Sequence, residues 1–270
     1  MSVAATHTST SAIASALRRM ARVLYPALAV AVFLGVWEVL VRAYDVPLWL
    51  LPKPSDFLGR MMVDHALIAG QAWVTSQSIA FGFAIALVVA MPLALAIVSV
   101  GTFERGLYPV IVFLNIMPKT VIGPILIVWF GINQMVVVLI VFLMCFFPIL
   151  VDSMAGFRAT DPRLYYITRS MGANGWQAFR HVRLPAAMTY VFAGMKIGIV
   201  KAVEGVIIAE FIGSGAGLGF MILRASSFMD QTLMFSGLIA TALVAMAFNA
   251  AMLASEHWLM PWARGRAAGH

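Results

Sequence analysis

DSMAGFRATDPRLYYITRSMGANGWQAFRHVRLPAA, residues 152–187, is the polar stretch around which an otherwise apolar chain is organised. It carries Arg158, Arg163, Arg169, Arg180 and Arg183 and runs into Leu184-Pro185. Apolar blocks long enough to cross a bilayer lie on both sides of it. The stretch is too long for a tight turn and too poor in Gly, Ser and Pro for a flexible linker. Its apolar residues recur at helical spacing in two runs, Leu164, Ile167 and Met171, then Trp176, Phe179 and Val182. Between the runs, Gly172-Ala173-Asn174-Gly175 is a helix-stop and turn signal. The spacing predicts a short helix, a turn and a second short helix on the cytoplasmic side of a membrane.

The rest of the chain fits that placement. Of 270 residues, 62% are hydrophobic and 11% charged, and the mean hydropathy is +0.95; a soluble domain carries about 25% charge. The composition is that of an integral membrane protein. A net charge of +7 points to nucleic acid only when it is concentrated on one face. Here the charges sit in loops beside apolar spans, where they set orientation. The only cysteine, Cys145, lies in an apolar run, so no internal disulfide is available and it reads as a small buried apolar residue. The first apolar block follows Arg18, Arg19 and Arg22 and outruns a cleavable signal. Residues 1–16, rich in Ser, Thr and Ala, read as a mobile tail.

A span needs about 20 mostly apolar residues. Six candidates meet this: 24–41, 72–100, 108–130, 135–151, 190–212 and 233–254. Residues 44–70, with Pro47, Pro52, Pro54, Asp56, Arg60 and Asp64, read as a mixed surface segment. Residues 101–106 read as a polar loop, 131–134 as a tight turn, and 213–219 as a glycine-rich helix end. The predicted organisation is a cytoplasmic tail (1–23), an all-α polytopic transmembrane domain (24–262) containing the 152–187 loop, and a second cytoplasmic tail (263–270). With the N-terminus inside, the inner segments hold Arg18, Arg19, Arg22, Arg105, the five loop arginines, Arg264 and Arg266. The outer segments hold only Lys53 and Arg60, with Arg42 and Arg224 at the boundaries. The positive-inside rule therefore places both termini in the cytoplasm.

Gly172, then nine residues, then Val182-Arg183-Leu184-Pro185 resembles the cytoplasmic loop of ATP-binding-cassette (ABC) importer permeases. That family's pattern is Glu-Ala-Ala, three residues, Gly, nine residues, Ile, any residue, Leu-Pro. Val182 stands for the Ile, and Tyr166-Ile167-Thr168 occupy the Glu-Ala-Ala positions. Met117-Pro118-Lys119, Pro124-Ile125-Leu126, Trp129-Phe130-Gly131, Ala209-Glu210-Phe211 and Gly217-Leu218-Gly219 are similar to the branch importing sulfonates, taurine, nitrate and related compounds. The likeness covers residues 73–262. It implies a type I ABC importer permease fold in a bacterial inner membrane. It also implies a second permease subunit, identical or related, and an external substrate-binding protein. An ABC ATPase dimer would bind ATP and Mg and grip the 161–185 loops, so no cofactor is expected in this chain.

The residues themselves offer little to an enzyme. There is no G-x-x-x-x-G-K-[ST] phosphate cradle, and the glycines at 213–219 miss the G-x-G-x-x-G spacing. His7, His65, His181, His257 and His270 are scattered without metal-ligand spacing. The coupling surface predicted for a partner ATPase comprises Arg169, Met171, Gly172, Ala173, Asn174, Gly175, Trp176, Phe179, Leu184 and Pro185. Gly172 and Gly175 let two helices meet closely, and Trp176 and Phe179 are apolar anchors. Arg169 and Arg180 are suited to partner carboxylates. Read alone, the loop serves equally well as a basic element that holds topology; the resemblance favours coupling.

Charges within spans cost about 2.5–3.5 kcal/mol each even on a lenient scale, so they should face protein or water. The candidate translocation-path residues are Asn115, Lys119, Lys201, Glu204 and Glu210. Lys201 and Glu204, one turn apart, are expected to pair, and Lys196 to reach the inner interface. Lys119, between Pro118 and Pro124, is the better cavity lining, and a cationic cavity suits an anionic solute. The rival reading is an ion-coupled secondary transporter with Lys201, Glu204 and Glu210 as a relay. It lacks the internal repeat common in such proteins. Gly194-x-x-x-Gly198 predicts close helix packing within the chain.

Overall fold

The computed structural model describes residues 6–159, 163, 167, 168 and 170–260, with side chains from residue 24 onward. Among these the regular structure is all helical. Helix α1 spans Thr6–Ala43 and contains the membrane-length segment Leu24–Ala43. The mobile tail expected at the start is therefore helical from Thr6. Its sequence up to Tyr25 is free of Gly and Pro and contains Ala, Leu, Arg and Met, all good helix formers.

The end of α1 is tied to α2 (Pro54–Val63) through Glu38, which pairs with Arg42 at 2.5 Å. The same carboxylate accepts hydrogen bonds from the Ser55 backbone N–H at 3.0 Å and hydroxyl at 2.8 Å. The mixed segment 44–70 thus holds a helix, opened by Pro54 in its first turn, where the missing N–H costs nothing. The rings of Trp37, Phe57 and Phe235 cluster with centroids 5.7–6.0 Å apart, Phe57 stacked on Phe235 and Trp37 edge-on to Phe235, binding α1, α2 and the last helix together. The second span, α3, begins at His65 and runs to Ser99.

The polar loop expected at 101–106 is helical instead. Val100 alone turns the chain (φ −123°, ψ 97°), and Gly101 opens α4 (Gly101–Ile116). Glu104 sits in the first turn, where a negative charge complements the helix dipole, and pairs with Arg158. At Met117-Pro118 the chain goes extended, as the residue before a proline prefers. A 3₁₀ turn (Lys119–Val121) leads to α5 (Ile122–Phe130), bent 74° from α4. The third span is therefore a broken one. Gly131 (φ +78°) turns the chain back, and Asn133 caps α6 (Gln134–Arg158) by accepting the Val136 N–H at 3.1 Å.

Helix α6 runs on to Arg158, so residues 152–158 of the polar stretch are its last turns and not the start of a loop. It is the centre of the molecule. Val137, Val141, Cys145, Ile149 and Leu150 are buried between α3 and the fifth span, α8 (Leu184–Gly213). α3 faces it with small residues, Gly82, Ala86, Ala90 and Ala94; a Cβ at Gly82 would fall 2.5 Å from Val141 Cγ1. α8 runs antiparallel to α6. Gly205 lies on Met144, Gly198 on Ile149 and Gly194 on Asp152, while Gly156 of α6 meets the Ala187 carbonyl. The Gly194-x-x-x-Gly198 face packs within the chain, as expected.

α9 (Leu218–Ser227) bends 49° from α8, and α10 (Gln231–Leu259) starts at an Asp230 cap that accepts the Leu233 N–H at 3.0 Å. Lys196 of α8 bridges to Glu256, near the end of α10, at 2.6 Å. Four helices are long and apolar enough to cross a membrane alone, and the two bent pairs bring the number to six.

Candidate functional site

The hairpin between α6 and α8 is built by local rules. Its first arm is described at Arg163, Ile167, Thr168 and Ser170; Arg169 lies outside the described residues. That arm ends with the Met171 N–H donating to Ile167 O (3.1 Å) and the Ala173 N–H to Thr168 O (3.2 Å). Gly172 between them has φ +83°. This six-to-one closure over a left-handed glycine is a Schellman cap. Asn174 then opens the second arm with a reciprocal capping box. Its side chain accepts the Gln177 N–H at 2.8 Å, and the Gln177 side chain accepts the Asn174 N–H at 2.9 Å. A short helix, α7 (Gly175–Ala178), follows.

The second arm is not a separate helix. A π-helical turn (Phe179–Arg183) joins α7 directly to α8, which starts at Leu184-Pro185. Pro185 supplies no N–H, and its ring would collide with the carbonyl four residues back. Widening the preceding turn, with the Leu184 N–H reaching Phe179 O, removes that conflict. Phe179 is half-buried, 6.4 Å from the Phe157 ring of α6, and Arg183 lies over the same ring at 5.8 Å. Trp176 stacks on Phe179 at 5.5 Å yet stays 66% exposed, and Met171 is 80% exposed. The hairpin tip thus presents large apolar surface on a rigidly capped frame.

A second feature is a cavity of about 340 Å³ between α4, α6 and α8. The broken third span contributes Asn115 and Lys119, and α8 contributes Ile197 and Lys201. α6 supplies Met144, Pro148, Val151 and Asp152, which share one face at helical spacing. Lys119 Nζ donates to the Asn115 carbonyl at 2.6 Å and stands 5.1 Å from the Phe147 ring centroid. Lys201 pairs with Glu204 at 2.6 Å, as its one-turn spacing predicts. Among the described residues, no acid lies within 4.0 Å of Lys119 and no base within 4.0 Å of Asp152.

Glu210 lies elsewhere, fully buried where α8 meets α3 and α9. Its carboxylate accepts the Thr75 hydroxyl at 2.8 Å and the Gly219 N–H at 2.7 Å. Thr75 in turn accepts the Leu218 N–H at 2.8 Å, and Gln71 accepts the Gly217 N–H at 2.6 Å. Gly217 has φ +106°, and a Cβ there would overlap the Glu210 carboxylate. The glycine-rich turn is closed over a carboxyl group that it hydrogen-bonds.

Residues 86–265 match the family described as binding-protein-dependent transport system inner membrane component. The chain belongs to this family. It is a transmembrane permease subunit of an ABC importer, a multi-pass inner-membrane transport component. The permease is 29% identical over 253 residues to the riboflavin transport system permease protein RibX of Chloroflexus aurantiacus, covering 91% of this chain and 94% of that one. It is 26% identical over 236 residues to the putative aliphatic sulfonates transport permease protein SsuC of Bacillus subtilis, covering 86% and 85%. Its fold matches the methionine ABC transporter MetNI with a TM-score of 0.55 at 16% identity, over 70% of this chain and 96% of that one.

In the permease, three of the candidate path residues, Asn115, Lys119 and Lys201, share one cavity, and Glu204 adjoins it through Lys201. Glu210 is enclosed by the α3–α9 turn, so Lys201, Glu204 and Glu210 form no continuous relay among the described residues. Asp152 is the cavity residue that sequence reading missed, by assigning it to the cytoplasmic loop. Its spacing from Met144, Pro148 and Val151 was the available signal. Of the coupling residues, Leu184 and Pro185 form the first turn of α8.

Proposed function

We propose that this permease carries a small solute with an anionic group, of the sulfonate, taurine or nitrate kind, handed over by an external binding protein. The path is shared with a second permease subunit, identical or related. A cytoplasmic ABC ATPase pair binds ATP and Mg, carries out hydrolysis and seats the hairpins of residues 161–185. Tails 1–23 and 263–270 flank the transmembrane domain on the cytoplasmic side. The hairpin tip, with Met171 and Trp176 exposed on a capped turn whose second arm continues into a membrane helix, is the observation that carries this reading. An apolar anchor on a rigid frame suits seating in a partner. Lys119, facing the cavity without an acid partner, supports an anionic solute.

Gly172 makes the test sharp. Its φ of +83° costs any L-residue with a bulky side chain about 1–2 kcal/mol, and the strain falls on the turn that orients Trp176. The experiment is co-purification in detergent with the ATP-binding subunit encoded nearest to this chain, comparing wild type with Gly172→Trp. The ATPase should travel with the wild type and be lost, or retained without solute-stimulated hydrolysis, in the variant. Failure of any ATPase to bind, together with solute movement in liposomes under an ion gradient alone, would overturn the reading.

A further inference from the structure

The cavity carries both signs of charge, and their placement selects a solute. The antiparallel contacts Gly205 to Met144, Gly198 to Ile149 and Gly194 to Asp152 set Lys201 opposite the 146–147 level of α6. Lys119 Nζ stands over Phe147, at the level of the Lys201 backbone. Asp152 lies five residues further along α6, about 7.5 Å of helical rise away. Lys201 is already neutralised by Glu204. Lys119 and Asp152 are therefore the two cavity charges without an ionic partner among the described residues. Asp152 leaves α6 at the closest approach of α8, where a Cβ on Gly194 would lie 2.8 Å from its own.

We propose that the cavity binds a zwitterionic solute, its anionic group against Lys119 and its cationic group against Asp152, joined by a short aliphatic link. This rests on the permease reading above and narrows its solute, among the sulfonate, taurine and nitrate kinds, to one bearing both charges, as taurine does. A plain anion would meet Lys119 but leave the Asp152 carboxylate facing it in the same cavity, so the acid rejects it. A plain cation meets the converse at Lys119. Either loses one ion pair in a space largely walled by apolar side chains, where such a pair is worth more than at an open surface.

The test uses the full chain in lipid nanodiscs and three probes of one size: 3-aminopropanesulfonate, propanesulfonate and propylamine, each followed by equilibrium dialysis. Wild type should bind 3-aminopropanesulfonate at least about fivefold more tightly than either single-charge probe. Asp152→Asn, which keeps the side chain's shape, should abolish the preference over propanesulfonate. Lys119→Gln should abolish the preference over propylamine, and it reads the same pairing from the other end if Asp152→Asn does not fold. Equal binding of propanesulfonate and 3-aminopropanesulfonate, an unchanged preference in a folded Asp152→Asn protein, or no binding of any probe would each overturn the proposal. ATPase co-purification measured on the same preparations separates the cases. If the ATPase stays bound while the preference is absent, the zwitterion site falls and the permease reading does not.

Discussion

At Gly194 the two most extensively packed helices come so close that a Cβ would lie 2.8 Å from that of Asp152 and 3.1 Å from the Pro148 carbonyl oxygen. Gly194→Val should therefore force α8 off α6 and cost about 1–3 kcal/mol, read as a lower melting temperature in detergent. Gly70, also helical but with nothing within 4 Å of an added Cβ, gives the control: Gly70→Ala should leave the melt unchanged or raise it by up to about 1 kcal/mol. Glu210→Ala removes the acceptor of both the Thr75 hydroxyl and the Gly219 N–H. Leaving a buried donor unmatched costs about 1–3 kcal/mol, so the variant should melt earlier and be cut more readily by protease at 214–217. The Lys201–Glu204 pair was legible because one helical turn decides it. The partner of Glu210 was not: Thr75 is 135 positions away, and only the fold brings it near.

Among the elements, the number of spans was legible but their ends were not. Charge and polarity were taken to stop a helix at 101–106 and at 152–158. Residues 101–106 instead form the first turns of α4 after the break at Val100, α6 runs on through 152–158, and Glu104 and Arg158 pair across the two helices. Pro118 marks the break after Met117, since it alters the backbone itself, whereas Pro124 sits in the first turn of α5 without breaking it. The π-helical turn was not foreseen, although its cause, Pro185, stood in the sequence. Pro185→Ala restores an N–H and removes the clash, so the turn should relax to α-helix. That would rotate the hairpin by about 100° relative to α8 and turn Trp176 away from its present direction. Expected results are slower amide exchange at 179–183, an unchanged or higher melting temperature, and a fall in solute-stimulated ATPase activity. Unaltered stimulation with slowed exchange would show that the hairpin's angle does not matter.

For the molecule as a whole, the tight unit is α3, α6 and α8, while α1 is tied chiefly at one end, by Glu38 and the Trp37 cluster. Orientation is testable because Cys145 is the chain's only cysteine and is buried. Wild type should resist a maleimide in intact cells and in everted vesicles. Thr102→Cys should react only in everted vesicles and Ile132→Cys in intact cells, if both termini are cytoplasmic. The reverse pattern would turn the protein over. The unbroken course from Gly175 to Gly213 has a mechanical consequence. At 1.5 Å per residue it is a lever of roughly 58 Å, with the hairpin tip at one end and the Glu210 clasp at the other. Under the proposed coupling, a push on Trp176 would arrive at the opposite face as one stiff stroke, and the glycine turn beyond Gly213 would be the joint where that stroke is spent.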